Sequence, residues 1–120
     1  MKFNIVVKNE NEVSTFDLEN TSISIGRSSD NDIQLNDKHA SRHHLKLWGE
    51  DNRILAKDLG SENGTYVNGR QIPPDKVVEL GKGHSILVGK SLISLLKGKS
   101  ENVFVFLQPD DTLFQRLSPQ

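Results

Sequence analysis

The chain has 120 residues, which is enough for one domain with a real core, and 34% of them are hydrophobic. A net charge of −1 gives no general positive field that would attract nucleic acid or an anionic membrane, and the absence of cysteine excludes disulfides, thiolate zinc sites and cysteine nucleophiles. The longest early apolar run, Ile5-Val6-Val7, is too short for a signal peptide or a membrane span. We therefore expect a cytoplasmic protein that has no membrane contact.

Short alternating segments separated by turn residues fill most of the chain. Turn signals recur about every 8–12 residues and no helical periodicity persists before residue 100, which predicts an all-β sandwich or barrel. The predicted strands are Lys2–Lys8, Glu12–Leu18, Ser22–Gly26, Asp32–Leu35, His43–Gly49, Arg53–Leu59, Thr65–Val67, Arg70–Ile72, Val77–Leu80, Ser85–Val88 and Leu92–Leu96. In the fifth of these, alternation places His43 on the same face as Leu45 and Leu47, and His44 on the opposite face.

The stretch Asp58–Gly69, with the sequence DLGSENGTYVNG, is the most distinctive part of the chain. Asn68-Gly69 lies between two short strand segments and is the strongest short-range signal for a β-hairpin. The residues Ser61–Gly64 predict a tight loop directly before this hairpin. Loop side chains held on a rigid sheet are suited to recognition.

The character of the sequence changes after Gly98. A polar bend is followed by the apolar run Val103–Leu107, by Pro109 and by Thr112-Leu113-Phe114-Gln115, which has the form of a helix capping box. We expect the chain to be a piece of a longer protein, with its domain at the natural start and an output domain beyond residue 120.

Four short motifs occur in a fixed order. They are Gly26-Arg27, Ser41-Arg42-His43-His44, Ser61-Glu62-Asn63-Gly64-Thr65 and Val67-Asn68-Gly69. Together they resemble the forkhead-associated (FHA) domain, and the resemblance runs from about Lys2 to about Leu96. It implies an FHA-type β-sandwich of about eleven strands over residues 1–98, with residues 99–120 as an extension, and it implies binding of phosphothreonine peptides through loops at one end.

The resemblance also implies a role for each motif residue. Arg27 and Ser41 would contact the phosphate with Arg42 as a helper, Asn63 would hold the peptide main chain, and His44 would brace the loops from within. The residues that would shape the loops are Gly26, Gly64, Thr65, Asn68 and Gly69. This agrees with the chemistry, because a phosphothreonine carries a charge of about −1.5 to −2 and three strong acceptor oxygens. A rigid arginine fork and a short hydroxyl suit those oxygens.

Glu62 departs from the pattern. Many FHA domains have Ser or Thr directly before the Asn-Gly pair, where its hydroxyl donates to the phosphate. A carboxylate about 4 Å from a phosphate costs about 1 kcal/mol per unit charge in water and about 4 kcal/mol at an intermediate effective dielectric constant. Glu62 therefore points away, pairs with Arg27 or Arg42, or lowers the affinity for phosphate.

Other site types fit the sequence less well. His39, His43 and His44 suggest a metal site, but adjacent strand residues point to opposite faces and no cysteine completes a shell. Ser41, His44 and Asp58 could form a hydrolase triad, yet no nucleophile elbow or oxyanion arrangement accompanies them. The segment 27–44 carries three basic and three acidic residues, without an aromatic platform for nucleic acid. We expect no catalysis, metal, cofactor or nucleic acid.

The sequence thus predicts a phosphothreonine-dependent interaction module acting downstream of a Ser/Thr kinase. Its ligand would be another protein or a segment of the same protein, for which Thr15 and Thr112 are candidate acceptors. The alternative is a phosphate-independent scaffold or oligomerisation domain on the same fold.

Overall fold

The computed structural model describes residues 2–10, 12–19, 21–80 and 85–96. These ranges contain eleven strands and no helix, so no helical segment long enough to cross a membrane is found within them. The strands are β1 (Lys2–Lys8), β2 (Val13–Glu19), β3 (Ser22–Gly26), β4 (Ile33–Gln34), β5 (Leu45–Glu50), β6 (Arg53–Asp58), β7 (Thr65–Val67), β8 (Arg70–Gln71), β9 (Val77–Leu80), β10 (Ser85–Val88) and β11 (Ser91–Leu96). The predicted all-β class is confirmed, whereas the predicted extension 99–120, with its apolar run and capping box, lies outside the described residues.

The strands form two sheets. The first has the order β2-β1-β11-β10-β7-β8, and the second has the order β4-β3-β5-β6-β9. Among the described strands the pairings are antiparallel, except that β3 and β4 run parallel. The two sheets belong to one sandwich, because a single core cluster draws side chains from both of them.

The core follows from the alternation of the strands. Phe3, Ile5 and Val7 of β1 point to the inner face, and so do Ile23 and Ile25 of β3. Full burial of each large apolar side chain contributes about 1.5–3 kcal/mol to folding. The shared core therefore fixes the two sheets relative to each other, and with them the loops at the ends of the strands.

The β7–β8 hairpin has the predicted turn. Asn68 and Gly69 both have positive φ angles, 50° and 85°, as a type I′ turn requires. Val67 pairs with Arg70 on either side of the turn, and the Asn68 side-chain oxygen accepts the main-chain N–H of Ser85 (3.2 Å). The hairpin predicted from Asn-Gly is confirmed.

The predicted start of β5 was wrong. The strand begins at Leu45 rather than at His43, so His43 does not share a face with Leu45 and Leu47. His43 is exposed and its ring nitrogen lies 3.0 Å from a carboxylate oxygen of Asp30, whereas His44 and Leu45 are both fully buried. The period of two fails here because two hydrogen bonds to loop main chain hold the His44 ring inside. The other predicted strand bounds agree with the structure to within one residue.

Candidate functional site

Strand β3 ends in close contact with the loop that precedes β5. A Cβ atom on Gly26 would collide with the main-chain carbonyl of Arg42, so this approach requires glycine. The Arg27 main-chain N–H donates to the Ser41 carbonyl oxygen (2.9 Å), and the Arg27 Nε–H donates to the Ala40 carbonyl oxygen (2.9 Å). The bond at Nε orients the exposed guanidinium, and its terminal Nη groups bond to none of the described residues. They are available to an anion.

The Ser41 hydroxyl connects this loop to the loop between β6 and β7. Its Oγ accepts the main-chain N–H of Glu62 (3.0 Å). A hydroxyl has one donor hydrogen besides its acceptor lone pairs. Because Oγ is the acceptor toward Glu62, the Ser41 O–H remains able to donate to a ligand oxygen.

The His44 ring connects the same two loops from inside the fold. Nδ1 accepts the main-chain N–H of Ser41 (2.9 Å), and Nε2 lies 3.0 Å from the Gly64 carbonyl oxygen. An acceptor at Nδ1 and a donor at Nε2 correspond to a neutral imidazole with its proton on Nε2. The ring is fully buried and therefore unable to reach a ligand in solvent. Its contribution is to hold Ser41 and Gly64 at a fixed separation.

Asp58 organises the β6–β7 loop, a role that sequence reasoning missed. Its Oδ2 accepts the N–H groups of Gly60 and Ser61 (3.0 Å each), and its Oδ1 accepts the hydroxyls of Ser61 (2.5 Å) and Thr65 (2.6 Å). Burial by itself raises the pKa of Asp58, but the hydrogen bonds from Ser61 and Thr65 outweigh it and hold the pKa below the ordinary aspartate value. An aspartate two residues before a glycine is a signal for such a side-chain-to-backbone turn.

The Asn63 amide lies on the same loop. Its Nδ2 donates to the His39 carbonyl oxygen (2.9 Å), which uses one of its two amide hydrogens. The residue is exposed, so its Oδ1 and second hydrogen face no competing bond in the described residues. These are the groups that a peptide main chain requires.

Arg42 and Glu62 place opposite charges at the rim of the site. Both side chains are exposed, and within the described residues no ion pair joins Glu62 to Arg27 or Arg42. The Arg42 carbonyl oxygen accepts the Ser28 N–H (3.1 Å) and the Asn31 Nδ2–H (2.7 Å), which fixes the main chain at residue 42. Asn31 was also missed, because nothing in the local sequence marks a contact across eleven positions.

The predicted site residues thus fall into two places. Arg27, Ser41, Arg42, Glu62 and Asn63 lie on three loops that hydrogen bonds join at one end of the sandwich, whereas Asn68 and Gly69 shape the separate β7–β8 turn. The sequence model of the FHA domain matches residues 23–89, which include all of these loops.

The chain belongs to the FHA domain family. The resemblance predicted from the four motifs is confirmed, and so is the sandwich it implied.

Relatives and solved structures are similar over most of this FHA domain. The glycogen accumulation regulator GarA of Mycobacterium tuberculosis is 37% identical over 97 residues, which cover 81% of this chain and 58% of GarA. The solved FHA domain of CT664 from Chlamydia trachomatis is 31% identical with a TM-score of 0.73, covering 82% of this chain and 100% of that one. A chain solved in a structural and functional analysis of phosphothreonine-dependent FHA domain interactions is 29% identical with a TM-score of 0.67, covering 80% and 98%. This chain therefore spans somewhat over half of GarA but nearly all of the solved domains.

Two other site types were considered from the sequence, a histidine metal site and a triad of Ser41, His44 and Asp58. Both have a different geometry in the FHA domain. In the ranges that the structure describes, no three histidine or acidic side chains are grouped as metal ligands. His44 accepts the main-chain N–H of Ser41 rather than its hydroxyl, and its Nε2 is 3.8 Å from Asp58 Oδ1. A hydrolase triad requires the base to be bonded to the nucleophilic hydroxyl.

Two buried carboxylates are expected to make the stability of this FHA domain sensitive to acid. Burial by itself raises the pKa of Asp37, but hydrogen bonds from the Ser91 hydroxyl and from the main chain of His39 and Lys90 outweigh it, so the pKa lies below its ordinary value, as at Asp58. A carboxyl whose pKa is lower in the folded state contributes stability above its unfolded pKa of about 3.9, and this contribution is lost as the pH falls through the folded pKa.

We expect the urea midpoint to fall as the pH is lowered below about pH 4. Fluorescence of Trp48, the single tryptophan, reports the transition. A midpoint that rises below pH 4 would contradict the account. The Asp58→Asn variant is the control, because it lacks one of the two buried carboxylates and should lose less stability between pH 5 and pH 3.

Proposed function

We propose that this FHA domain binds phosphothreonine-containing segments of proteins and acts as a phosphorylation-dependent interaction module rather than as a catalyst. The observation that carries the proposal is the convergence, on interlocked loops, of the oriented Arg27 guanidinium, the Ser41 hydroxyl and the Asn63 amide. The similarity to an FHA domain studied for phosphothreonine-dependent interactions supports it.

In this proposal Arg27 and Ser41 contact the phosphate, and Asn63 contacts the peptide main chain. The Nη groups of Arg27 donate to two phosphate oxygens in a charge-assisted pair, and the Ser41 O–H donates to a phosphate oxygen. Arg42 adds a second positive charge at the rim. The Asn63 amide both donates to and accepts from the peptide main chain, which gives affinity for an extended segment without reading its side chains.

The proposed partner is a protein phosphorylated on threonine by an upstream Ser/Thr kinase. A segment of the same protein is a second source of the ligand, since a tethered segment binds at millimolar effective concentration. Thr15 pairs with Val6 within the β1–β2 ladder, so its capture would require β2 to leave the sheet. Thr112 lies outside the described residues. Intact mass after kinase treatment tests the tethered form, which fails if neither threonine gains a phosphate.

The alternative function is a phosphate-independent scaffold on the same fold. Glu62 favours it, because an acidic side chain unpaired within the described residues stands beside Ser41, where a phosphate would bind. The two functions differ in what Arg27 does for binding. A scaffold would keep its partner when Arg27 is replaced.

The experiment that tests the proposal varies the charge at position 62. The wild type is titrated with a phosphothreonine peptide and with its unphosphorylated form, and we expect binding of the first only. Glu62→Gln should raise the affinity about tenfold, because it removes a repulsion of one to a few kcal/mol near the phosphate. Glu62→Thr should raise it at least as much, since its hydroxyl can also donate.

Ionic strength separates charge repulsion from a change in shape. The gain of Glu62→Gln should shrink as salt rises, because exposed charges are screened. Equal binding of the phosphorylated and unphosphorylated peptides by all three proteins would contradict the proposed function. A loss of affinity in both variants would show that Glu62 assists binding instead of opposing it.

A further inference from the structure

The Asp37–Ala40 turn, in the loop between β4 and β5, contacts both of the side chains proposed to grip the ligand. Two successive carbonyl oxygens of this turn serve as acceptors: His39 O binds the Asn63 amide and Ala40 O binds the Arg27 Nε–H, each at 2.9 Å. One short piece of main chain therefore sets the relative position of a cation on the β3–β4 loop and an amide on the β6–β7 loop.

Asp37 is the residue that fixes this turn. Its Oδ1 accepts the N–H of His39 (2.9 Å), and its carbonyl oxygen accepts the N–H of Ala40 (3.1 Å). Its other carboxylate oxygen, Oδ2, accepts the N–H of Lys90 (2.7 Å) and the hydroxyl of Ser91 (2.7 Å). The carboxylate is thus bonded on one side to the turn and on the other side to the start of β11, a strand of the opposite sheet.

The bonds between Asp37 and the start of β11 are buried and tightly packed. The residue is only 8% exposed and Ser91 is fully buried. Gly89 has a φ of 61°, and a Cβ there would lie 2.8 Å from Asp37 Oδ2, so a side chain at position 89 would push the β10–β11 turn away. Charge-assisted hydrogen bonds of this kind, shielded from water, are stronger and more directional than those between neutral groups.

We propose that Asp37 is a positioning residue for phosphopeptide binding: it anchors the Asp37–Ala40 turn to β11 and thereby aims both Arg27 and Asn63. Asp37 would not touch the ligand. The inference rests on the proposed function for its effect on affinity, but its effect on the two side chains is a property of the free protein and can be measured without a ligand.

The first test uses the free protein labelled with ¹⁵N. In the wild type, the Arg27 Nε–H and the Asn63 Nδ2–H₂ should each give a resolved signal protected from solvent exchange by its carbonyl partner. In Asp37→Asn, whose amide cannot accept from all the donors that the carboxylate serves, we expect both signals to shift and to exchange faster. Wild-type signals for both groups in a folded Asp37→Asn protein would overturn the proposal, whatever the protein binds.

Asp32→Asn is the matched control. Asp32 is also a loop aspartate with several bonds, since its Oδ2 accepts the N–H (2.8 Å) and hydroxyl (3.2 Å) of Ser24. It bonds neither to the Asp37–Ala40 turn nor to Arg27 or Asn63. The same chemical change there should leave the two side-chain signals in place.

The second test is a double-mutant cycle in peptide binding. Asp37→Asn should weaken binding of a phosphothreonine peptide about tenfold in the wild-type background but only about twofold in Asn63→Ala, because residues that act through one another are not additive. Equal losses in the two backgrounds would overturn the relay to Asn63. A purely structural role would lower stability without this coupling.

Ser91→Ala covers the case in which Asp37→Asn fails to fold. It removes one hydrogen bond from Asp37 and keeps the carboxylate, so we expect a loss of about two- to threefold in affinity with smaller shifts of the same two signals. A folded Ser91→Ala protein in which neither signal moves would overturn the proposal. If the wild type binds no phosphopeptide, the proposed function fails, while the labelled-protein test still decides the role of Asp37.

Discussion

Replacing Arg27 with alanine is expected to lower the affinity for a phosphothreonine peptide about a hundredfold and to leave the fold intact. The loss is large because the variant removes a charge-assisted pair to the phosphate, and truncating one partner of such a pair typically costs about 2–5 kcal/mol. The fold should survive because the Arg27 side chain is exposed and its Nε–H bond to Ala40 is the single side-chain hydrogen bond that it makes within the described residues.

Arg27→Lys is the control that separates charge from geometry. Lysine keeps the positive charge but loses the planar fork, so we expect an intermediate loss of about tenfold. Isothermal titration of one peptide against the three proteins, with thermal unfolding as a check of the fold, gives the comparison. Binding unchanged in Arg27→Ala would reject the phosphate mechanism and favour the phosphate-independent scaffold.

Replacing Asp58 with alanine is expected to destabilise the domain by about 3 kcal/mol or more, since each donor left without a partner on burial costs about 1–3 kcal/mol. Four donors lose their acceptor in this variant: the Thr65 hydroxyl, which is buried, and the Ser61 hydroxyl and two main-chain N–H groups, whose bonds are partly buried. Such a loss is a large fraction of the stability of a typical domain, about 5–15 kcal/mol. The β6–β7 loop, which carries Glu62 and Asn63, should lose its order first.

Urea unfolding followed by Trp48 fluorescence measures this change. Asp30→Ala is the matched control, because Asp30 is also a loop aspartate near a histidine but is exposed, and its replacement should leave the midpoint unchanged within error. A midpoint for Asp58→Ala equal to that of the control would show that the buried network does not stabilise the loop.

The fold could be predicted because its determinants are local in the sequence. Alternation with a period of two located the strands, and Asn68-Gly69 fixed a hairpin through the backbone angles that these two residues tolerate. The start of β5 could not be predicted in this way. There the two hydrogen bonds to the His44 ring override the alternation that the sequence suggests, and the partner carbonyl at Gly64 is twenty residues away.

The site was predictable only in part, for the same reason. The motif residues Arg27, Ser41 and Asn63 do lie on loops that hydrogen bonds join, whereas Asn68 and Gly69 form the separate β7–β8 turn. The residues that hold those loops carry no local signal: Asp37 meets Ser91 across 54 positions, and the Asn63 amide meets the His39 carbonyl across 24. Contacts over such separations depend on how the two sheets pack, which periodicity alone does not specify.

The most direct test of the account is capture of a degenerate phosphothreonine peptide library by the folded domain, with matched phosphoserine and unphosphorylated libraries. We expect selective capture of the phosphothreonine peptides, which would also give the sequence preference needed to search for partners. Failure to enrich phosphothreonine, both by the wild type and by a folded Glu62→Thr variant, would contradict the central claim that these loops form a phosphothreonine site.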